Sequence, residues 1–285
     1  MRDERKKIFR LLETADNFVK YAKSGSEARA LSRARGRYDK ARKIAEKFGD
    51  DEMIEQVRLR LIDLEQISST PADSSEVNDL EPSTVPSLEA PAHTDGRVPP
   101  GQRVLRRWPV LHVGRIPRFN PDKWSIEVNG ACAQPLRFGY DEFKALPNIE
   151  LVSDFHCVTG WSKLDNVWRG VQVKQLLDLA KLQPGATHLL VHAEHGYTTN
   201  VPLDVLIDDD AILAWQHNGA PLAPKHGFPL RLVIPRLYAW KSVKWVRRLE
   251  ILTADKRGYW EVRGYHNRAD PWHEERYAYQ ELSNG

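Results

Sequence analysis

Apolar side chains recur every three or four residues along the first 65 positions. Over 5–23, Ile8, Leu11, Leu12, Ala15, Phe18, Val19 and Ala22 fall on one face of a predicted helix. Ser24-Gly25-Ser26 ends that run. Ser26 suits the cap of a second helix, whose inward face reads Leu31, Ala34, Tyr38, Ala41, Ile44, Ala45 and Phe48. Gly49 suits the left-handed position that closes it. A third helix starts near Asp51, with Ile54, Val57, Leu61 and Leu64 apolar. Residues 1–65 are therefore expected to form a small helical domain.

The pattern then lapses. Residues 66–100 hold six prolines, six serines, three threonines and no aromatic residue. Such a stretch buries too little apolar surface to offset its chain entropy, so 66–102 reads as a disordered, extended linker. Past residue 103 short periods mix. Strands are expected at 110–113, 124–128, 149–155, 188–193, 211–216, 230–234, 243–252 and 259–262. Helices are expected at 140–146 and 173–180, with one helical turn at 204–207. Strands and helices alternate without a βαβ rhythm, which predicts an α+β domain over 103–285.

Composition sharpens this only at a few points. All nine tryptophans follow residue 100, so the large core belongs to the second domain. A net charge of +3 makes no case for nucleic acid. No apolar run approaches the ~20 residues that span a bilayer. Met1-Arg2-Asp3-Glu4-Arg5-Lys6-Lys7 leads into no apolar signal core, and two cysteines in the whole chain suit a reducing compartment. A cytoplasmic location is expected.

The candidate chemistry gathers around Asp154-Phe155-His156-Cys157-Val158-Thr159-Gly160-Trp161, where a strand delivers a cysteine to its end. A cysteine outside a disulfide is either a small buried hydrophobe or a reactive ligand. Further along come His226-Gly227-Phe228-Pro229-Leu230-Arg231 and Trp240-Lys241-Ser242-Val243-Lys244-Trp245. With His112-Val113-Gly114-Arg115-Ile116-Pro117 and Gly196-Tyr197-Thr198-Thr199-Asn200-Val201-Pro202-Leu203, these motifs fall in order over about 105–277. In that order they resemble the sulfite-oxidase superfamily of molybdopterin-binding oxidoreductases, in the branch without a haem domain.

The resemblance implies a mixed-sheet sulfite-oxidase-type fold and a mononuclear molybdopterin cofactor. It makes Cys157 the only protein ligand to molybdenum, with His156 bonding the cofactor. Arg231, Ser242 and Lys244, helped by Lys241, would take the phosphate end. His226 would be a polar pterin contact, and His112 would sit in the segment that crosses the cofactor. Thr199 would face the pterin; Tyr197 would line the substrate side or simply pack. The residue types agree with these roles. Molybdenum takes soft sulfur donors, and an arginine fork pairs two phosphate oxygens at once. Cys132 has no matching motif and reads as structural.

The chain also departs from the pattern. Thr159-Gly160-Trp161-Ser162 follows the cysteine where true sulfite oxidases carry arginines. Sulfite would be poorly held unless Arg115 or Arg236 takes their place. No haem segment is present, which implies a separate electron donor or acceptor. The expected activity is oxygen-atom or two-electron transfer on a small substrate, sulfur compounds among the candidates. The alternative is a catalytically idle fold that serves as a binding module. In that case the N-terminal helices, whose 26–65 pair resembles a single tetratricopeptide-like hairpin, would dock a protein partner. His192 and His195, three apart, could face one zinc on a helix, but His192 ends a strand-like run, where side chains at that spacing point to opposite faces, which disfavours a zinc pair. No Gly-x-Ser-x-Gly occurs for a hydrolase.

Overall fold

The computed structural model describes residues 2–20, 27–69, 96–106, 108–110, 112–113 and 115–283. The chain divides into two units, Met1–His93 and Thr94–Gly285.

The first unit packs α1 (Arg2–Lys20), α2 (Glu27–Phe48) and α3 (Asp51–Ser69) around Ile8, Leu12, Ala15, Ala34, Tyr38, Ala41, Ala45, Met53, Val57 and Leu64. Small alanines on α2 let the helices approach closely. Gly49 takes φ +62 after α2, the left-handed value its position called for. Ser26 and Ala22 lie outside the described residues. Phe48, expected inward, is instead 44% exposed. A polar group sits inside this unit. Asp16 accepts from Tyr38 Oη at 2.6 Å and from Arg60 Nε at 3.1 Å.

The expected linker meets structure at both ends. Residues 66–69 continue α3, and Arg97 already bonds Asp154, with Nε to Oδ2 at 3.0 Å. Residues 70–95 lie outside the described residues.

The second unit is α+β and holds two mixed sheets. One sheet is assembled from β1 (Arg103–Val104), β4 (Ile149–Cys157), β5 (Trp161–Gln172), β8 (Ile212–His217), β9 (Ala220–Pro221) and β10 (Arg231–Val233). Its order is β1-β5-β8-β10, with β4 also on β5 and β9 also on β8. The other is assembled from β2 (Ser125–Gly130), β3 (Leu136–Gly139), β6 (His188–Ala193), β7 (Thr198–Pro202) and β11 (Val246–Leu252), in the order β3-β2-β11-β6-β7. Two short helices join them, α4 (Tyr140–Ala145) and α5 (Val173–Ala180). The pairs β1–β5 and β2–β11 are parallel and the others antiparallel.

Several elements differ from the sequence expectation. Residues 110 and 112–113 are irregular rather than a strand, and Leu111 lies outside the described residues. The run 243–252 becomes a strand only from Val246, because Trp245 takes φ +57, which no strand can hold. The 259–262 run forms a tight turn and a short 3-10 helix, Glu261–Arg263, with Glu261 turned inward. The strands that the pattern did not show are β1, β3, β5, β7 and β9.

Candidate functional site

β4 and β5 build the centre of the site. Their antiparallel register sets Cys157 opposite Trp161 and His156 opposite Ser162. A register shift between Ser153 and Phe155 bulges β4 at Asp154. Beyond it, alternation places Phe155 and Cys157 on one face of the strand and His156 on the other. Both Cys157 and His156 are buried. Cys157 Sγ lies 3.2 Å from Thr159 Oγ1. The turn after it is clamped by Gly160 N donating to Cys157 O at 3.0 Å and by Gln102 Nε2 donating to the same oxygen at 3.1 Å.

His156 Nδ1 lies 2.8 Å from Ser162 Oγ, and burial holds its pKa down to about 4. Its ring lines a cavity of about 400 Å³, with Arg97, Asp154, Asp210, Pro235, Arg236 and Trp272. Arg236, expected from the sequence as a possible anion holder, is 44% exposed on its side chain. It is engaged by Asp208 and by Asp210, the latter at 3.0 Å.

A cationic cradle forms where β10 begins beside the 240–244 turn. Arg231 is only 2% exposed, and no carboxylate among the described residues pairs with it. Its Nη1 donates to His226 O at 2.9 Å and its Nη2 to Ser242 O at 3.0 Å, while Nε is buried without a partner. Three rings surround the guanidinium, with centroids 4.9 Å away at Trp108, 5.0 Å at Phe155 and 5.5 Å at Trp168. Burial pulls the Arg231 pKa down to about 9. Lys244 joins Arg231 through a backbone bridge, and its Nζ donates to Lys225 O at 2.7 Å. Burial, with Arg231 adding to it and Cys157 opposing, brings Lys244 down to about 6.

His226 stacks on Trp108 with centroids 4.0 Å apart and planes 8° from parallel. Its Nδ1 is buried without a partner, and burial beside Lys244 and Arg231 brings it down to about 3. Gly227, at φ +120, carries the chain past this cluster. A Cβ there would stand 2.9 Å from Arg231 Cβ and 3.4 Å from Lys244 Cα. Ser242 contributes its carbonyl to Arg231, while its Oγ accepts from Ile234 N at 3.0 Å.

Several of the residues singled out in the sequence lie elsewhere. Lys241 is fully buried, with Nζ 2.7 Å from Glu261 Oε1 and donating to Asn200 O at 2.7 Å. Thr199 Oγ1 donates to the same Glu261 oxygen at 2.6 Å. Tyr197 Oη donates to Trp240 O at 2.9 Å, and its ring packs on Tyr259. His112 is exposed and meets the edge of Trp245 at 5.3 Å. His192 is occupied by Glu250 and Arg248, and His195 stands exposed on a turn. Among the described residues no three His, Cys, Asp or Glu side chains converge for a metal, and no helix is long and apolar enough to cross a membrane.

The motifs did not point to Trp108, Trp168, His217 or Glu261. Trp108 stands in the sequence as a lone Trp-Pro, and Glu261 lies past the last of the matched motifs.

A buried guanidinium without a carboxylate partner, its own Nε unpartnered and His226 Nδ1 unpartnered beside it, suits a phosphate-bearing group. A buried cysteine close by suits a soft metal. Comparison with known proteins identifies the family. Residues 113–260 match the family model described as the oxidoreductase molybdopterin binding domain. The chain is 45% identical over 185 residues to an uncharacterized oxidoreductase, YuiH, of Bacillus subtilis strain 168, covering 65% of this chain and 93% of that one. It is 29% identical over 196 residues to the NADH nitrate reductase of Lotus japonicus, covering 58% of this chain but only 22% of the reductase. Among solved structures, the sulfane dehydrogenase SoxCD of Paracoccus pantotrophus superposes with a TM-score of 0.49 at 20% identity, over 73% of this chain and 65% of that one.

Proposed function

This chain belongs to the oxidoreductase molybdopterin-binding domain family, and on that premise we propose that it carries out oxygen-atom or two-electron transfer on a small substrate at a molybdenum centre ligated by Cys157. It is a molybdenum-dependent oxidoreductase that binds molybdopterin. Bound there, the cofactor supplies a metal that changes oxidation state and exchanges an oxygen atom.

The chain's own residues have distinct tasks in this reading. Arg231 and Lys244 take the phosphate end, with His226 Nδ1 and Arg231 Nε as spare polar groups for it. Trp108, Phe155 and Trp168 exclude water from the arginine, which strengthens its hold on an anion. Thr159 Oγ1 lies within reach of the Cys157 sulfur, and a hydroxyl donated there favours the thiolate that a metal requires. Because no arginine directly follows Cys157 and Arg236 is held by two aspartates, Arg115 alone is left of the two that could take their place, which favours a substrate of lower charge than sulfite.

The observation that carries the proposal is Arg231. A guanidinium buried among three rings and left without a carboxylate carries a desolvation cost that a bound anion would offset. The test is molybdenum and pterin content, with an X-ray absorption count of sulfur neighbours, in protein from a molybdenum-replete host. Cys157→Ser should lose one sulfur neighbour and all dye-coupled turnover, because a hard oxygen replaces a soft thiolate. Cys132→Ser should keep both, since Cys132 is buried in a different hydrophobic cluster from Cys157 and bridges Leu182. An unchanged sulfur count in the Cys157 variant would refute the ligand assignment.

A further inference from the structure

Glu261 is the least expected group in the second unit. It is 1% exposed, in a short 3-10 helix one residue past the end of the family match. Its Oε1 takes three donors from two other segments: Thr199 Oγ1 at 2.6 Å, Trp240 Nε1 at 2.9 Å and Lys241 Nζ at 2.7 Å. Its Oε2 is buried with no partner. Lys241 Nζ donates as well to Asn200 Oδ1 at 3.0 Å, and Asn200 Nδ2 donates to Asn267 Oδ1 at 2.7 Å. Strand β7, the 238–243 turn and the 255–267 segment are therefore knotted at one carboxylate.

The knot leads to the cradle through the backbone. Trp240 is fixed at both ends, its indole by Glu261 and its carbonyl by Tyr197. Lys241 N donates to Tyr238 O at 2.9 Å, Ser242 N to Ala239 O at 3.2 Å, and Leu232 N to Val243 O at 2.7 Å. The next carbonyl in this turn, that of Ser242, is the one that receives Arg231 Nη2. No part of this turn is regular helix or strand, so its shape depends on what its side chains grip.

We propose that Glu261 is a positioning residue for the anion cradle: by gripping Lys241 and Trp240 it fixes the 240–244 turn, and through Ser242 O it fixes the direction of the Arg231 guanidinium. This rests on the reading of Arg231 and Lys244 as the cofactor's phosphate site. It gives Thr199 and Lys241 a place in the brace behind that site, without contact to the cofactor. A carboxylate with one oxygen accepting three bonds and the other none is a poor choice for stability alone, since an unsatisfied buried oxygen is unfavourable.

The test uses the full chain and two probes. One is inorganic phosphate, titrated calorimetrically into cofactor-free protein; the other is the rate of pterin release from the loaded protein. Thermal midpoints of the cofactor-free forms are recorded beside them. Glu261→Ala should weaken phosphate binding and speed pterin release by about tenfold or more, the scale on which supporting residues tune a bound group. Glu261→Gln, which keeps an acceptor oxygen for all three donors, should recover most of both. If Glu261→Ala does not fold, Lys241→Met serves, because it leaves Thr199 and Trp240 on Glu261 and removes only the Lys241 bonds to Glu261 and Asn200; it should weaken phosphate in the same direction. Wild-type phosphate affinity in whichever variants fold would overturn the proposal. So would losses that merely track the thermal midpoint without rescue by Glu261→Gln, or a wild type that binds no phosphate. Phosphate binding that follows the brace in a wild type that takes up no pterin even in a molybdenum-replete host would instead overturn the cofactor reading and leave the brace standing.

Discussion

Arg231 and Cys157 were legible from the sequence because each stands in a motif whose residue types suit one chemistry. The groups that make Arg231 unusual were not. Trp108, Phe155 and Trp168 come from three separate places in the chain, and only the fold brings their rings within 5.5 Å of the guanidinium. His217 escaped for the same reason. Its ring packs on Trp168 at 4.6 Å and Trp108 at 4.7 Å, and its Nε2 lies 3.0 Å from Asn166 Oδ1. Burial, with Lys163 and Arg231 adding, brings its pKa down to about 3, and His226 is brought to about 3 as well. In the unfolded chain both protonate near ~6.5. The folded state thus binds fewer protons, so their contribution to stability is full above about pH 6.5 and is lost as the pH falls toward 3. Thermal midpoints of the cofactor-free chain should drop over that window. His217→Gln should flatten the drop, and an identical slope in that variant would show that His217 is not its source.

Element by element, the legible parts were the three N-terminal helices, α4 and α5, and the strands β2, β4, β6, β8, β10 and most of β11. The longest strand, β5, was invisible. Its inward positions from 162 to 170 are Ser162, Leu164, Asn166, Trp168 and Gly170, so small and polar residues stand where a pattern reader looks for Val or Ile. Two of those, Ser162 and Asn166, are inward because they bond His156, His217 and the β4 backbone. β7 hid likewise, with Thr199 and Asn200 buried by the brace. That strand also receives the close approach of Gly258, where an added Cβ would stand 2.5 Å from Thr199 Cα and 2.6 Å from Thr198 O. Backbone cannot yield as a side-chain tip does. Gly258→Ala should therefore lift the 255–261 segment from β7, at about 1–3 kcal/mol for overpacking. It should lower the thermal midpoint and hasten pterin release together. A variant with wild-type values for both would show that the two backbones do not need their contact.

At the scale of the whole molecule, the sequence separated a helical unit from an α+β unit, but it set the edges by composition, and side chains override composition. α3 runs to Ser69, and Arg97 is tied to Asp154 and Asp165, which raise its pKa. Limited proteolysis should accordingly cut within the proline- and serine-rich residues 70–95 and leave two lasting fragments. First cuts inside 97–110 would show that the Arg97 clamp does not hold.

The lone charge inside the aromatic cage reaches beyond the reaction. A core that carries a cation and withholds its counter-ion makes solvent composition part of the native state. Phosphate or sulfate in a storage buffer is then no bystander. Any such ion that enters the cradle and ignores the unfolded chain shifts the folding equilibrium by mass action. The purified protein's apparent hardiness is in that sense a joint property of the polypeptide and the salt around it.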